Sequence, residues 1–301
     1  MQNALKSFEN LSIWSNGEQR APHKPLLLLL ALGKYQQHRQ IQLPFEEVEP
    51  LLRKLLIEFG PSRQSYHPEY PFWALQQDDL WILNSETSIT LRKGSSNPSK
   101  MELLKKNALG ALNPAIIDCF NKDPKQIQII AKQLLLAHFP DSLHRDITNA
   151  IGLDITDNTK TGTRLKRDPK FREEVLIAYE YKCAICSMDI RLGSGSNSIA
   201  VGLEAAHIMW HQAGGADTPS NGLALCSLHH KLLDHGAYTI LDDYRILVSE
   251  RAHGGDGFSK LLLNFHGQDL RKPIRETYLP SLSNLKWHRK EVFKPEGREL
   301  N

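Results

Sequence analysis

The chain has 301 residues, which at ~100–200 residues per domain suggests two domains, each able to bury a core. Its 41% hydrophobic and 24% charged residues are those of a globular protein and exclude a wholly disordered chain, a collagen or a coiled coil. Thirty-seven Lys and Arg against 34 Asp and Glu leave a formal charge of +3, so any basic face for a polyanion must be local. The strongest apolar run, seven residues from Leu26 to Leu32, falls far short of the ~20 needed to cross a bilayer. The opening MQNALKSFENLSIW has no basic stretch followed by an apolar core. No signal peptide and no membrane contact are expected, and the cytoplasm is the expected compartment.

In chain order, residues 1–152 read as one domain. Pro25 stands just before LLLLLALGKY, where it can start a helix. PFEEVEPLLRKLLIEFG reads as a second helix, with Pro44 and two glutamates at its start, Gly60 at its stop and Pro50 as a kink or later start. YPFWAL and LWIL flank QQDD and read as a hairpin. SKMELLKKNALG carries a capping box, Ser99 with Glu102, and reads as a helix ending at Gly110. DPKQIQIIAKQLLLAHFP starts at an Asp-Pro cap and halts at Pro140. The first domain is therefore expected to be mostly helical with a small sheet.

Residues 153–166 are polar, lack hydrophobic period and read as a linker. The stretch Lys160–Arg172 is basic and suits either a solvated linker or an arm that contacts phosphates. Residues 167–301 form the second domain. FREEVLIAYEYK reads as a helix capped by Asp168-Pro169, and WHRKEVF as a terminal helix docked through Trp287 and Phe293.

Three of the four cysteines cluster in this second domain. Cys183 and Cys186 form a C-x2-C, and Cys226 with His229 a C-x2-H. Two such pairs can close a tetrahedron around a structural Zn²⁺. A redox dithiol is disfavoured because no thioredoxin-like strand precedes the pair, and a catalytic zinc because four protein ligands leave no open position. Between and after the knuckles lie His207 at the end of a strand, Asn221 on a loop and His230 on a short helix that ends at Gly236.

The order C-x2-C, AHI, SNGLALC, HHKLLDHG resembles the His-Asn-His (HNH) nuclease family with its ββα-metal fold, over residues 167–245. The resemblance implies a DNA endonuclease. His207 is the expected general base, since a neutral imidazole suits that task near pH 7. Asn221 is implied to orient the base or the metal loop, and His230 to bind a catalytic Mg²⁺ or Mn²⁺. Asp234, one helical turn beyond His230, is a candidate second ligand. Many relatives have a ligand just before the first His, where this chain has Ala206; Glu204, on the same strand face, could supply the carboxylate. His211 and His235 read as surface residues.

APHKPLLLLLALGKY and YPFWALQQDDLWIL resemble the sulfur-binding domain of restriction endonucleases that attack phosphorothioate-modified DNA, over most of residues 1–152. By that resemblance Tyr70, Pro71 and Ala74 line a sulfur pocket, with His23 and Lys24 beside it. Arg92 or Lys93, before the GSSNPSK turn, could hold backbone phosphates. Relatives can carry Arg at position 24, so Lys24 forfeits a bidentate contact.

The sequence therefore predicts an α+β protein: a mostly helical DNA reader followed by a zinc-stapled ββα-metal nuclease. Its expected role is a restriction endonuclease directed by phosphorothioate on double-stranded DNA, with a homodimer as one route to double-strand cleavage. Two alternatives stand beside it. One is an HNH endonuclease reading another mark such as 5-methylcytosine; the other is a non-catalytic, zinc-containing DNA-binding protein.

Overall fold

Five consecutive leucines cannot all lie on one side of a helix, so a helix that carries them must be enclosed. Leu26–Leu30 are each at most 4% exposed, because α1 (His23–His38) runs through the middle of its unit. The computed structural model describes residues 7–8, 10–13, 18–155, 168, 170–193 and 198–300. The chain divides into two units, Met1–Arg164 and Leu165–Asn301. From residue 156 onward the linker expected over 153–166 lies outside the described residues, as does most of the basic stretch 160–172.

In the first unit β1 (Gln42–Pro44) leads into α2 (Phe45–Phe59). That helix begins after Pro44 and ends at Gly60 as its sequence predicts, and it runs through Pro50. Its buried residues Phe45, Val48, Leu52, Leu55, Leu56 and Phe59 recur at helical spacing.

The expected YPFWAL–LWIL hairpin is not formed. Glu69–Ala74 is a helix, α3, continued by a 3-10 turn over Leu75–Asp78. Burial there falls on Pro68, Glu69, Pro71, Phe72 and Leu75, positions related by the three-and-four spacing of a helix rather than the alternation of a strand. LWIL does form a strand, β2 (Trp81–Asn84), but with a distant partner.

Ser99 caps α4 (Lys100–Lys105) by accepting the Glu102 N–H at 3.0 Å. The Glu102 carboxylate turns instead to the Thr90 N–H, so only half of the capping box closes. The helix stops short of Gly110 because Asn107 takes a left-handed turn at φ 47°. Leu109–Leu112 becomes β3, the middle strand of an antiparallel sheet ordered β1-β3-β2. Then follow α5 (Pro114–Lys122), α6 (Lys125–His138) and α7 (Asp141–Ile151). Helices α2, α3, α6 and α7 pack around α1.

The second unit opens with α8 (Phe171–Ala178) and a short hairpin, β4 (Arg191–Leu192) with β5 (Ile199–Ala200). The antiparallel pair β6 (Leu203–His207) and β7 (Gly222–Cys226) follows, in register His207↔Gly222 to Leu203↔Cys226. Directly after β7 comes α9 (Ser227–Asp234), ended by Gly236 at φ +72°. This strand–loop–strand–helix order is a ββα unit, and α8 and α9 both pack on the strand pair. The hairpin β8 (Tyr238–Ile240) with β9 (Ile246–Val248), a short helix α10 (Asp256–Leu261) and α11 (Leu282–Glu291) complete the unit. Trp287 and Phe293 are buried, as the terminal helix requires. Among the described residues no helix is long and apolar enough to cross a membrane.

Candidate functional site

The cysteine knuckle is built by local turns. After α8 the backbone enters left-handed conformations at Glu180 (φ 53°) and Tyr181 (φ 56°). The Cys183 N–H then bonds to the Met188 carbonyl, and the Ser187 N–H to the Cys183 carbonyl, both at 2.9 Å. Across from it β7 ends at Cys226, and the first turn of α9 delivers His229. One ligand atom from each of Cys183, Cys186, Cys226 and His229 lies within 4.8 Å of the others. Ligands on a tetrahedral zinc with Zn–S about 2.3 Å stand roughly 3.8 Å apart, so a Cys₃His set of this size fits that ion.

His229 Nδ1 lies 3.1 Å from Cys226 Sγ, while its Nε2 donates to the Leu261 carbonyl at 2.8 Å. That outer bond fixes which nitrogen is offered to a metal. Hydrogen bonding from Cys226, and less so from His229, outweighs burial and holds the Cys183 thiol well below its ordinary range, while the same bond raises Cys226 and burial raises Cys186. A thiolate is thus ready for a cation.

His207 closes β6. Its ring stacks on Phe171 of α8 at 4.0 Å and 19°. Its Nε2 lies 2.7 Å from Asp217 Oδ1. His211, expected at the surface, is instead brought in: its Nε2 is 3.7 Å from Asp217 Oδ2, and its ring meets His207 edge-on at 5.8 Å. Burial opposes the Asp217 charge, but the Asp168 N–H and then His207 outweigh it and hold the carboxyl below the usual range.

Glu204 is three positions from His207 on the strand and so faces the other way. It meets α9: its Oε2 lies 2.6 Å from His230 Nδ1, and Ser227 Oγ donates to its Oε1 at 2.8 Å. On the far side of the same ring, His230 Nε2 is 3.2 Å from Asp234 Oδ2. Burial opposes a charge on His230, yet Asp234 and then Glu204 reverse that and push its pKa up to about 10. Because the two carboxylates approach opposite ring nitrogens, a single ion on His230 can meet only one of them beside it. Asp234 is 1% exposed and Glu204 46%. The other oxygen of Asp234 accepts from Trp210 Nε1 at 2.8 Å.

Asn221 is 1% exposed and acts on backbone. Its Oδ1 accepts the Met209 N–H at 2.9 Å, and its Nδ2 donates to the carbonyls of Met209 at 2.9 Å and Ala216 at 3.0 Å. It thereby braces the segment that leaves His207 and leads to Trp210, and the neighbouring segment that carries Asp217.

In the first unit, α3 puts Tyr70 and Ala74 one turn apart on one face, with Pro71 beside them. Pro71 is buried while Tyr70 and Ala74 are half-buried. The His67 ring stacks on Tyr70 at 4.5 Å and 9°, and Arg92 Cζ stands 5.0 Å from the centre of the Tyr70 ring. Burial, then the charges of Arg63 and His67, lower the His23 pKa to about 4. Lys24 is engaged elsewhere: its ammonium contacts Asp78 Oδ2 at 2.6 Å and the Ser12 carbonyl at 2.8 Å. Lys93 is exposed beside Gly94, a turn position at φ +73°.

Residues 1–156 match the family described as ScoMcrA-like, DNA sulfur-binding domain, and residues 183–241 match the family described as HNH endonuclease. The first match spans more than half of the chain. The protein belongs to the ScoMcrA-like DNA sulfur-binding family and carries an HNH endonuclease domain. An HNH domain implies a divalent metal. Among solved structures, the sulfur-binding domain of ScoMcrA complexed with phosphorothioated DNA is 22% identical, with 50% of this chain and 94% of that chain covered and a TM-score of 0.43. The corresponding SprMcrA domain is 19% identical over 50% and 93%, again with a TM-score of 0.43. The type IV phosphorothioation-dependent restriction endonuclease ScoMcrA is 21% identical over 52% of this chain, with a TM-score of 0.43, and only 35% of its own length is covered. No curated protein matches.

No local motif in the sequence marks Arg63, His67, Phe171, Trp210 or Asp217 as site residues, and His211 reads there as a surface residue. Each acts by a tertiary contact that no local spacing announces. The one available signal was the Asp in GGADTPSNG, an acidic residue on the loop between two residues of the HNH motif.

Proposed function

We propose that this protein is a phosphorothioate-dependent DNA endonuclease. The observation that carries it is the presence, in one chain, of a sulfur-binding family domain and a ββα unit bearing His207 and His230 over a Cys₃His cluster.

In the first unit, replacing a phosphate oxygen by sulfur gives a larger atom that accepts hydrogen bonds poorly. Tyr70, Pro71 and Ala74 offer it an aromatic edge, a ring without an N–H and a methyl, set along α3. His23, held neutral at pH 7 by its lowered pKa, and Arg92 over Tyr70 stand among the polar groups that meet the backbone.

In the second unit, His207 takes a proton from a water molecule. The water oxygen bonds to phosphorus as the bond to the leaving oxygen breaks. That oxygen departs with the bonding pair and is protonated from solvent. Glu204 and, once its Nδ1 has given up its proton, His230 would hold Mg²⁺ or Mn²⁺, which would supply positive charge for the developing oxyanion. Asp234, buried on the other ring nitrogen, orients His230 rather than ligating. Asn221 keeps both groups in place through the Met209 backbone. The Cys₃His cluster would hold Zn²⁺ as a staple. Cutting both strands takes two events, and two copies of the chain on one duplex would deliver them together.

The test is a pair of duplexes identical except for one sulfur atom, incubated with the protein and Mg²⁺ or Mn²⁺. Cleavage of the sulfur-containing duplex alone is expected. Equal cleavage of both would return the choice to a base mark such as 5-methylcytosine. Sulfur-selective binding without cleavage under any divalent ion would leave a non-catalytic DNA-binding protein.

A further inference from the structure

The carboxylate of Asp217 is shared between two tasks. Oδ1 lies 2.7 Å from His207 Nε2, and Oδ2 accepts the Asp168 N–H at 2.5 Å. The side chain is only 12% exposed, and that of His207 10%. On its other side the His207 ring is fixed by the stack on Phe171. Neither the HNH motif, which names His207, Asn221 and His230, nor the Cys₃His cluster includes Asp217.

A neutral imidazole has one protonated and one basic nitrogen, and the partner of one decides the role of the other. A carboxylate accepts only, so it holds the proton on Nε2 and leaves the lone pair on Nδ1. We propose that Asp217 is a positioning residue for the His207 general base, fixing its ring and tautomer and stabilising the imidazolium formed when water is deprotonated. This rests on the endonuclease reading above. Asp217 stays anionic through the neutral range because the Asp168 N–H and His207 outweigh the effect of burial. His211, the third group near this carboxylate, faces it from the 3-10 turn His211–Ala213, with its Nε2 3.7 Å from Asp217 Oδ2 and so beyond hydrogen-bond distance.

A carboxylate that acts only through His207 has no work to do once His207 is gone. With full-length protein and a phosphorothioated duplex, Asp217→Asn is expected to lower the single-turnover rate a hundredfold or more. DNA affinity, zinc content and thermal midpoint should stay unchanged. In a His207→Ala background the same substitution should change the residual rate less than threefold. An equal loss in both backgrounds, or no loss at all, overturns the proposal. The second readout does not need activity: ¹⁵N-histidine-labelled protein reports the His207 tautomer directly. The Nε2–H form is expected in the parent and its loss in Asp217→Asn and Asp217→Ala. An unchanged tautomer in both variants overturns the proposal, whereas a parent that never cuts but shows the Nε2–H form sinks only the endonuclease reading.

Discussion

Lys24 was expected to meet DNA, and its actual partners change what its removal should do. Its ammonium and Asp78 are 13% and 3% exposed. Deleting one member of so buried a pair strands the other, at a cost of about 3 kcal/mol. Lys24→Ala should therefore lower the unfolding midpoint of the first unit while leaving the salt slope of DNA binding nearly intact. Arg92→Ala should do the reverse, reducing the slope with little effect on stability. Urea titration and binding at several salt concentrations separate the two. His23 and His138 carry a pH prediction. Burial is the largest cause in both, and both are lowered from 6.5 to about 4. Between those values the unfolded chain binds the proton that the folded chain refuses. Stability is thus full above pH 6.5 and declines as pH falls toward 4, by about 2 kcal/mol per histidine between pH 7 and pH 5. His23→Asn should remove its share, seen by hydrogen exchange of α1 at the two pH values. A pH-independent difference between parent and variant would contradict the assignment.

At the scale of elements, the sequence was most legible where burial is uniform or periodic. The leucine run of α1, the Pro44 and Gly60 limits of α2 and the ββα order of the second unit all follow from local rules. YPFWAL was misjudged because six apolar or aromatic residues fit either period, and the choice was made by what Pro71, Phe72 and Leu75 bury against. NALG differs because Asn107 takes a left-handed cap that already stops the helix, and because the pairing of β3 between β1 and β2 is a long-range fact. In the candidate site, the motif residues were visible from spacing, but Asp217 and His67 were not, since hydrogen bonds and ring stacks leave no period. Close helix contact gives a further prediction. A methyl on Gly33 of α1 would stand 2.5 Å from the Ile151 carbonyl oxygen of α7. Gly33→Ala should therefore destabilise the first unit by about 1–3 kcal/mol despite the better helix propensity of alanine. Thermal unfolding would show it, and a stabilised variant would mean that α7 yields easily.

For the whole molecule, the two units carry separable tasks, and perturbations should divide accordingly. Tyr70→Ala or Pro71→Gly should erase the preference for the sulfur duplex more than the residual binding, because the two duplexes carry equal charge and release counterions alike. Cys183→Ser or Cys226→Ser should unfold the second unit, because an ion held by the Cys₃His cluster would contribute folding energy, and excess Mg²⁺ should not restore it. Measuring about one zinc per parent chain and none in the variants would complete that test; a metal-free parent with full activity would refute it.

The uneven distribution of thiols has a consequence for cells under oxidative stress. Cys183, Cys186 and Cys226 are gathered in the Cys₃His cluster, whereas the first unit holds only Cys119, which is buried. An oxidant that strips the cluster would disable cutting and spare recognition. The proposed enzyme would then remain seated on marked DNA as a passive occupant, shielding the site it would otherwise destroy and blocking undamaged copies of itself. Damage to this one staple would not merely silence a nuclease; it would turn an attacker into its own competitive inhibitor.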